Sequence, residues 1–163
     1  MNLGGGTEGA TPQFLQILYN TLIMKLKIKL LNQEAKAPTF AHDTDAGMDL
    51  YTTSEITILP GARVQVPTGV SLAIPTGYVG LIWDKSGVSH KFGLKTLGGV
   101  IDAGYRGEIL VGLLNTGSEP HTFSVGEKVA QMLIQKVEQP ELEIVDSLDE
   151  TSRGEGAFGS TGK

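Results

Sequence analysis

With 163 residues the chain is long enough for one domain, and a globule of that size buries roughly 68–70% of its unfolded surface, so a core forms without staples. The absence of cysteine excludes disulfides and thiolate metal sites and fits a reducing compartment such as the cytoplasm. A net charge of -5 argues against non-specific nucleic-acid binding, but a phosphorylated small molecule can still be held by a few local cations.

Residues 1–23 read as an N-terminal extension outside the fold. They open glycine-rich and polar, and the stretch 14–22 is only intermittently apolar, interrupted by Gln16, Asn20 and Thr21. It is too short to cross a bilayer and no basic segment precedes it, so neither a secretory signal nor a membrane contact is expected.

From Met24 the pattern becomes orderly. Met24, Leu26, Ile28 and Leu30 alternate with Lys25, Lys27 and Lys29, a period-2 strand with one wet face. Further strand-like runs follow at 55–59, 63–66, 70–74, 79–82, 109–114, 121–125 and 128–137. Pro60-Gly61, Pro67-Thr68-Gly69, Pro75-Thr76-Gly77 and Asn115-Thr116-Gly117 separate several of them as turns. Many short strands, 22 glycines and 7 prolines predict an all-β jelly-roll-like sandwich or barrel. At most one short helix fits, opening near Ser86, and there is no internal repeat. This β domain spans 24–140.

The last segment, 141–163, starts as a mixed strand at 142–145 and continues as SLDETSRGEGAFGSTGK. Glycine and small polar residues dominate it and cannot make a core. It holds Arg153 and Phe158, one cation and one aromatic, which suits a segment that closes over a ligand.

Four segments inside the β domain hold candidate chemistry. Ala46-Gly47-Met48-Asp49-Leu50 places a carboxylate among apolar neighbours. Asp84-Lys85-Ser86-Gly87 leaves a strand and opens a helix, where free N–H groups, a hydroxyl and an ammonium make an anion cradle. Residues 98–108, GGVIDAGYRGE, have strand-like ends around a glycine-containing centre, which predicts a β-hairpin with Asp102 and Tyr105 near its tip. Gly126-Glu127-Lys128-Val129-Ala130-Gln131 offers the Gln131 amide to a phosphate oxygen. Each alone has an ordinary explanation as turn chemistry.

Taken together with the tail, they resemble the ordered motif set of the trimeric dUTPase family. AGMDL, KSG, GVIDAGYRG, GEKVAQ and RGEGAFGSTG stand in the family's order from about Met24 to the end. The resemblance implies hydrolysis of dUTP to dUMP and pyrophosphate, which limits uracil in DNA and supplies dUMP for thymidylate synthesis. It implies that Asp102 positions and activates the water that attacks the α-phosphorus. Uracil is then read by backbone groups of the 99–110 segment, through Gly99, Val100, Ile101 and Leu110. Tyr105 lies beneath the deoxyribose and excludes a 2′-hydroxyl. Lys85, Ser86, Gly87 and Gln131 hold phosphates, and Arg153 reaches the γ-phosphate. Phe158 stacks on uracil, while Gly159, Ser160 and Thr161 wrap the triphosphate end. Asp49 is expected to orient a basic partner, with Arg153 as the candidate. Mg²⁺ is carried by the phosphates and water and not by protein ligands. The family assembles as a homotrimer, each site drawing on three subunits.

Two positions depart from the family pattern. Lys85 stands where arginine is usual, which keeps the charge and loses the bidentate fork. Ala157 replaces a usual glycine. The related dCTP deaminases place a glutamate ten residues beyond the hairpin aspartate. Here that position is Gly112, which has no ionisable group for the proton transfer at C4.

Overall fold

The computed structural model describes residues 24–155, so the expectations for 1–23, Ala157, Phe158, Gly159, Ser160 and Thr161 lie outside the described residues. Its elements are β1 Lys27–Leu30, β2 Met48–Tyr51, β3 Ile56–Ile58, β4 Arg63–Pro67, β5 Val70–Ala73 and β6 Tyr78–Trp83, then the single helix α1 Ser86–Phe92. β7 Leu94–Leu97, β8 Val100–Ile101, β9 Leu110–Asn115, β10 His121–Phe123 and β11 Lys128–Lys136 complete the series. Every pairing is antiparallel, which the short prolyl-glycyl turns allow. The strands form a four-stranded sheet in the order β2-β11-β6-β8, a three-stranded sheet β4-β9-β7, and two-stranded sheets β1-β5 and β3-β10. This is a jelly-roll architecture.

Inward-facing alternate residues make one core between the layers. In β9, Val111 and Leu113 are buried while Leu110 is exposed, and they meet Leu50, Ile58, Val66, Leu94 and Phe123 in the same cluster. β11 breaks the alternation, because Val129 and Ala130 are both buried. A register shift between Lys128 and Ala130 accounts for this: a bulge turns two successive side chains toward the core. The buried Asn115 ends β9 with its amide satisfied. Its Nδ2 donates to Ile58 O at 2.9 Å and Glu119 O at 2.8 Å, and its Oδ1 accepts from Gly117 N–H at 2.8 Å.

Three expectations need correction. β1 does not bury its apolar face: all four residues are exposed, Ile28 at 40% and Leu30 at 48%. It pairs only with β5, in a two-stranded layer that leaves that face uncovered within one chain. The mixed strand at 142–145 does not form, and Leu142 and Ile144 are 89% and 101% exposed. No strand of the described chain pairs with it, so its amides lack a ladder. The 98–108 segment is not a β-hairpin. Its first arm, β8, pairs with β6, its second arm forms no strand, and β9, which follows at Leu110, pairs with β4 and β7. The segment therefore crosses between two sheets.

Candidate active site

Strand register assembles the first cluster. Gln131 of β11 lies directly opposite Asp49 of β2 on one side and Trp83 of β6 on the other. Directly opposed residues point to the same face, so the AGMDL, KSG and GEKVAQ segments converge although they are far apart in sequence. Gly47 lets Gln131 pack closely, since a Cβ there would lie 2.6 Å from its Oε1. Gln131 Nε2 donates to the carbonyl of Asp84 at 2.8 Å. A carbonyl only accepts, so the contact fixes the amide's orientation and leaves its second N–H available.

Asp49 is buried at the centre of this cluster, with its carboxylate between two ammonium groups. Lys85 Nζ donates to Oδ1. Lys128 Nζ lies 2.6 Å from Oδ2, an ion pair by distance without hydrogen-bond alignment. Burial pushes the Asp49 carboxyl up, but Lys128 and Lys85 together outweigh it and hold the group below its ordinary range. Asp49 correspondingly raises Lys128. The structure thus gives Asp49 two lysine partners where the sequence pointed to Arg153. Arg153 itself is exposed, in a turn where Gly154 N–H donates to Thr151 O at 3.0 Å.

Lys85 precedes α1 as its N-cap in an extended conformation, with Val88 and Ser89 N–H groups donating to its carbonyl. Ser86 and Gly87 occupy the exposed first two helical positions, ahead of those bonds, and no acidic side chain stands in the first turn. Their N–H groups form the positive end of the helix next to Lys85.

The second cluster is a cleft of about 270 Å³ lined by Val100, Ile101, Asp102, Tyr105 and Leu110, with Gln65 and Glu108 beside them. Asp102 is exposed and opens a turn closed by Tyr105 N–H on its carbonyl at 3.0 Å. The turn is held from behind. Ser71 Oγ donates to Arg106 O at 2.7 Å, and Thr68 Oγ1 donates to Ile109 O at 2.6 Å. Glu108 Oε1 accepts from Gly69 N–H at 2.7 Å. Tyr105 lies back over Gly107 with its hydroxyl donating to Glu108 O at 2.9 Å, and a Cβ at position 107 would strike the phenol ring. Gly99 leads into the cleft at φ 106°, and its carbonyl accepts from Ile82 N–H at 2.8 Å. A Cβ there would sit 2.8 Å from Ile82 O, so only glycine fits.

Sequence reasoning missed Gln65 and, although it singled out the segments that hold Asp84, Glu108 and Lys128, gave those three side chains no role. An exposed polar residue of β4 such as Gln65, or a carboxylate such as Glu108 that bonds a distant turn, leaves no local signal. Gly112 lies in mid-strand between Gln65 and Leu97, where a Cβ would approach Leu97 O to 2.9 Å. A glutamate has no place there. Among the described residues no three His, Asp or Glu side chains gather, and no helix is long and apolar enough to cross a membrane. The exposed Asp102 carboxylate of this cleft suits a cation that keeps its own waters and phosphates.

A jelly roll with an anion cradle at one edge and an open carboxylate beside a phenol at another has the parts of a nucleotide hydrolase. The family model described as dUTPase matches residues 33–162. The deoxyuridine 5'-triphosphate nucleotidohydrolase of Mycolicibacterium gilvum (strain PYR-GCK) is 47% identical over 145 residues, covering 84% of this chain and 94% of that protein. The enzyme of the same name from Clostridium tetani (strain Massachusetts / E88) is 46% identical over 140 residues, covering 85% and 97%. Among solved structures, a point mutant of the Staphylococcus bacteriophage 80alpha dUTPase with dUpNHpp superposes with a TM-score of 0.81 at 31% identity, covering 85% of this chain and 99% of that one. A dUTPase mutant from phage phi11 of S. aureus, whose structure describes a structural Mg(II) ion, superposes with a TM-score of 0.72 at 30% identity, covering 76% and 98%. The chain belongs to the dUTPase family.

Proposed function

We propose that the chain hydrolyses dUTP to dUMP and pyrophosphate, with Asp102 as the general base for water. The observation that carries this reading is the cleft that brings Asp102 and Tyr105 together at the turn between β8 and β9. A carboxylate needs hydrogen-bond reach of the water it deprotonates, and Asp102 presents its oxygens outward from a turn braced by Ser71, Thr68 and Glu108. The water attacks the α-phosphorus and pyrophosphate leaves. Lys85, Ser86, Gly87 and Gln131 bind and orient the phosphates, and Arg153 takes the γ-phosphate. Gly99, Val100, Ile101 and Leu110 present their backbone to uracil. Tyr105 lies under the sugar, where its ring leaves no room for a 2′-hydroxyl. Phe158 stacks on the base, and Gly159, Ser160 and Thr161 close over the triphosphate. Mg²⁺ arriving with the substrate supplies charge neutralisation on the phosphates.

The active form is a homotrimer with shared sites. The cradle and the Asp102 cleft have different linings within one chain, and apolar side chains remain uncovered at Ile28, Leu30, Leu142, Ile144 and Leu148. Residues 24–140 form the β domain, 141–163 the C-terminal lid, and 1–23 an N-terminal extension.

The deciding experiment measures pyrophosphate release from dUTP, dTTP, dCTP and UTP. The expected result is release from dUTP alone at substantial rate. Comparable rates on UTP or dTTP, or ammonia from dCTP, overturn the assignment.

A further inference from the structure

Asp84 has no role in the reading above, yet it is the most heavily bonded side chain next to the phosphate cradle. Its Oδ1 accepts both the Thr96 N–H and the Thr96 hydroxyl at 2.7 Å, and its Oδ2 pairs with Lys95 Nζ at 2.5 Å. Its side chain is 19% exposed. Its backbone carbonyl is the acceptor that orients Gln131. These contacts cross between layers. Asp84 follows β6 of the four-stranded sheet, whereas Lys95 and Thr96 belong to β7 of the three-stranded sheet.

The consequence is geometric. Asp84 is two residues before Ser86 and three before Gly87. A carboxylate held by an N–H, a hydroxyl and an ammonium has little freedom to rotate. Anchoring it to β7, the edge strand of the neighbouring sheet, therefore fixes the peptide that leads into the helix, and the same residue's carbonyl fixes the Gln131 amide. We propose that Asp84 is a positioning residue for triphosphate binding: its carboxylate, clamped by Lys95 and Thr96, sets Ser86, Gly87 and Gln131 in place without touching substrate. This rests on the phosphate cradle proposed above. The Asp84 carboxyl is consistent with such a clamp: burial raises it, and the bonds from Lys95 and Thr96 more than offset that and hold it low.

A group that merely glues two sheets would affect every ligand alike, whereas a cradle-positioning group acts on phosphates alone. The test compares inhibition of dUTP hydrolysis by α,β-imido-dUTP and by deoxyuridine, which lacks phosphates, in the full-length wild type and three variants. Asp84→Ala is expected to raise the inhibition constant of the imido nucleotide by about tenfold, the scale of a lost charged hydrogen bond, and to leave that of deoxyuridine unchanged. Asp84→Asn, which still accepts from Thr96, should recover most of the difference. Thr96→Val removes only the hydroxyl bond and should give a smaller loss of the same selectivity. It also serves as the decisive variant should Asp84→Ala fail to fold. Equal losses for both ligands, or no loss for either, overturn the proposal. A wild type that does not hydrolyse dUTP overturns the functional reading instead, and is distinguished by needing no variant.

Discussion

The two candidate clusters are built in opposite ways. Around Asp49 and Asp84 the polar groups are bonded to one another: two lysines close on one carboxylate, and Lys95 with Thr96 close on the other. At the β8–β9 turn the bracing comes from behind, through Ser71, Thr68 and Gly69, while Asp102 and Tyr105 are exposed. The contrast fits the proposed division of labour. Groups that hold a polyanion must be kept apart and oriented before it arrives, because like charges would otherwise splay. A general base must keep its oxygens open for water, so it is fixed through its backbone and left unpaired in its side chain.

The sharpest way to break this contrast is Asp102→Asn. It should lower kcat by about 10²–10⁴, the range for removing a general base, while nucleotide affinity stays near that of the wild type. Measuring kcat alongside binding of α,β-imido-dUTP checks both halves, and a near-normal kcat would mean that another group activates the water.

The tail has the next largest expected effect. Phe158→Ala should weaken nucleotide binding by about 1–3 kcal/mol, the usual range for one base–aromatic stack. Calorimetric titration with the imido nucleotide reads the loss, and an unchanged affinity would remove Phe158 from the site.

Tyr105 tests whether the outward-facing cluster reads the sugar. Tyr105→Ala should raise the UTP/dUTP ratio of kcat/KM. Gly107→Ala should do the same more weakly, because its methyl group pushes the phenol from its seat. A ratio unmoved by both changes places sugar discrimination elsewhere.

The smallest effects concern acidity. Asp49 and Asp84 both have folded values below the ordinary 3.8. As pH falls, the unfolded chain therefore takes up those protons first. Their stabilisation is complete above about 3.8 and disappears as pH falls through the folded values. Asp84→Asn should flatten this acid limb of Tm against pH. His121 acts in a different window. It lies between Phe92 and Phe123, with ring centroids 4.2 and 4.5 Å away. Burial lowers it from the ordinary 6.5, partly offset by Glu127. The folded chain therefore resists its protonation, and stability falls as pH drops below 6.5 toward the folded value. His121→Phe keeps the ring stack and should remove that slope, and a persistent slope would assign it to other groups.

The sequence by itself determined the local quantities. Alternation and turn chemistry placed most of the strands, but not β2 or β7, which carry Asp49 and Thr96. Ser86 opened the one helix, and GVIDAGYRG put a carboxylate and a phenol three residues apart. Such features depend on a residue and its immediate neighbours, so they are written in the chain. Tertiary structure decided which strands meet. Gly99 to Leu110 reads as a hairpin because its arms are strand-like, but β8 and β9 find better partners in different sheets. Strand 142–145 had the right composition, yet no strand of the described chain pairs with it. The opposition of Asp49, Gln131 and Trp83, and the clamp of Asp84 on Thr96, arise from register between distant strands. A one-residue slip would send each of those side chains to the other face, and no local pattern distinguishes the correct register from its neighbours.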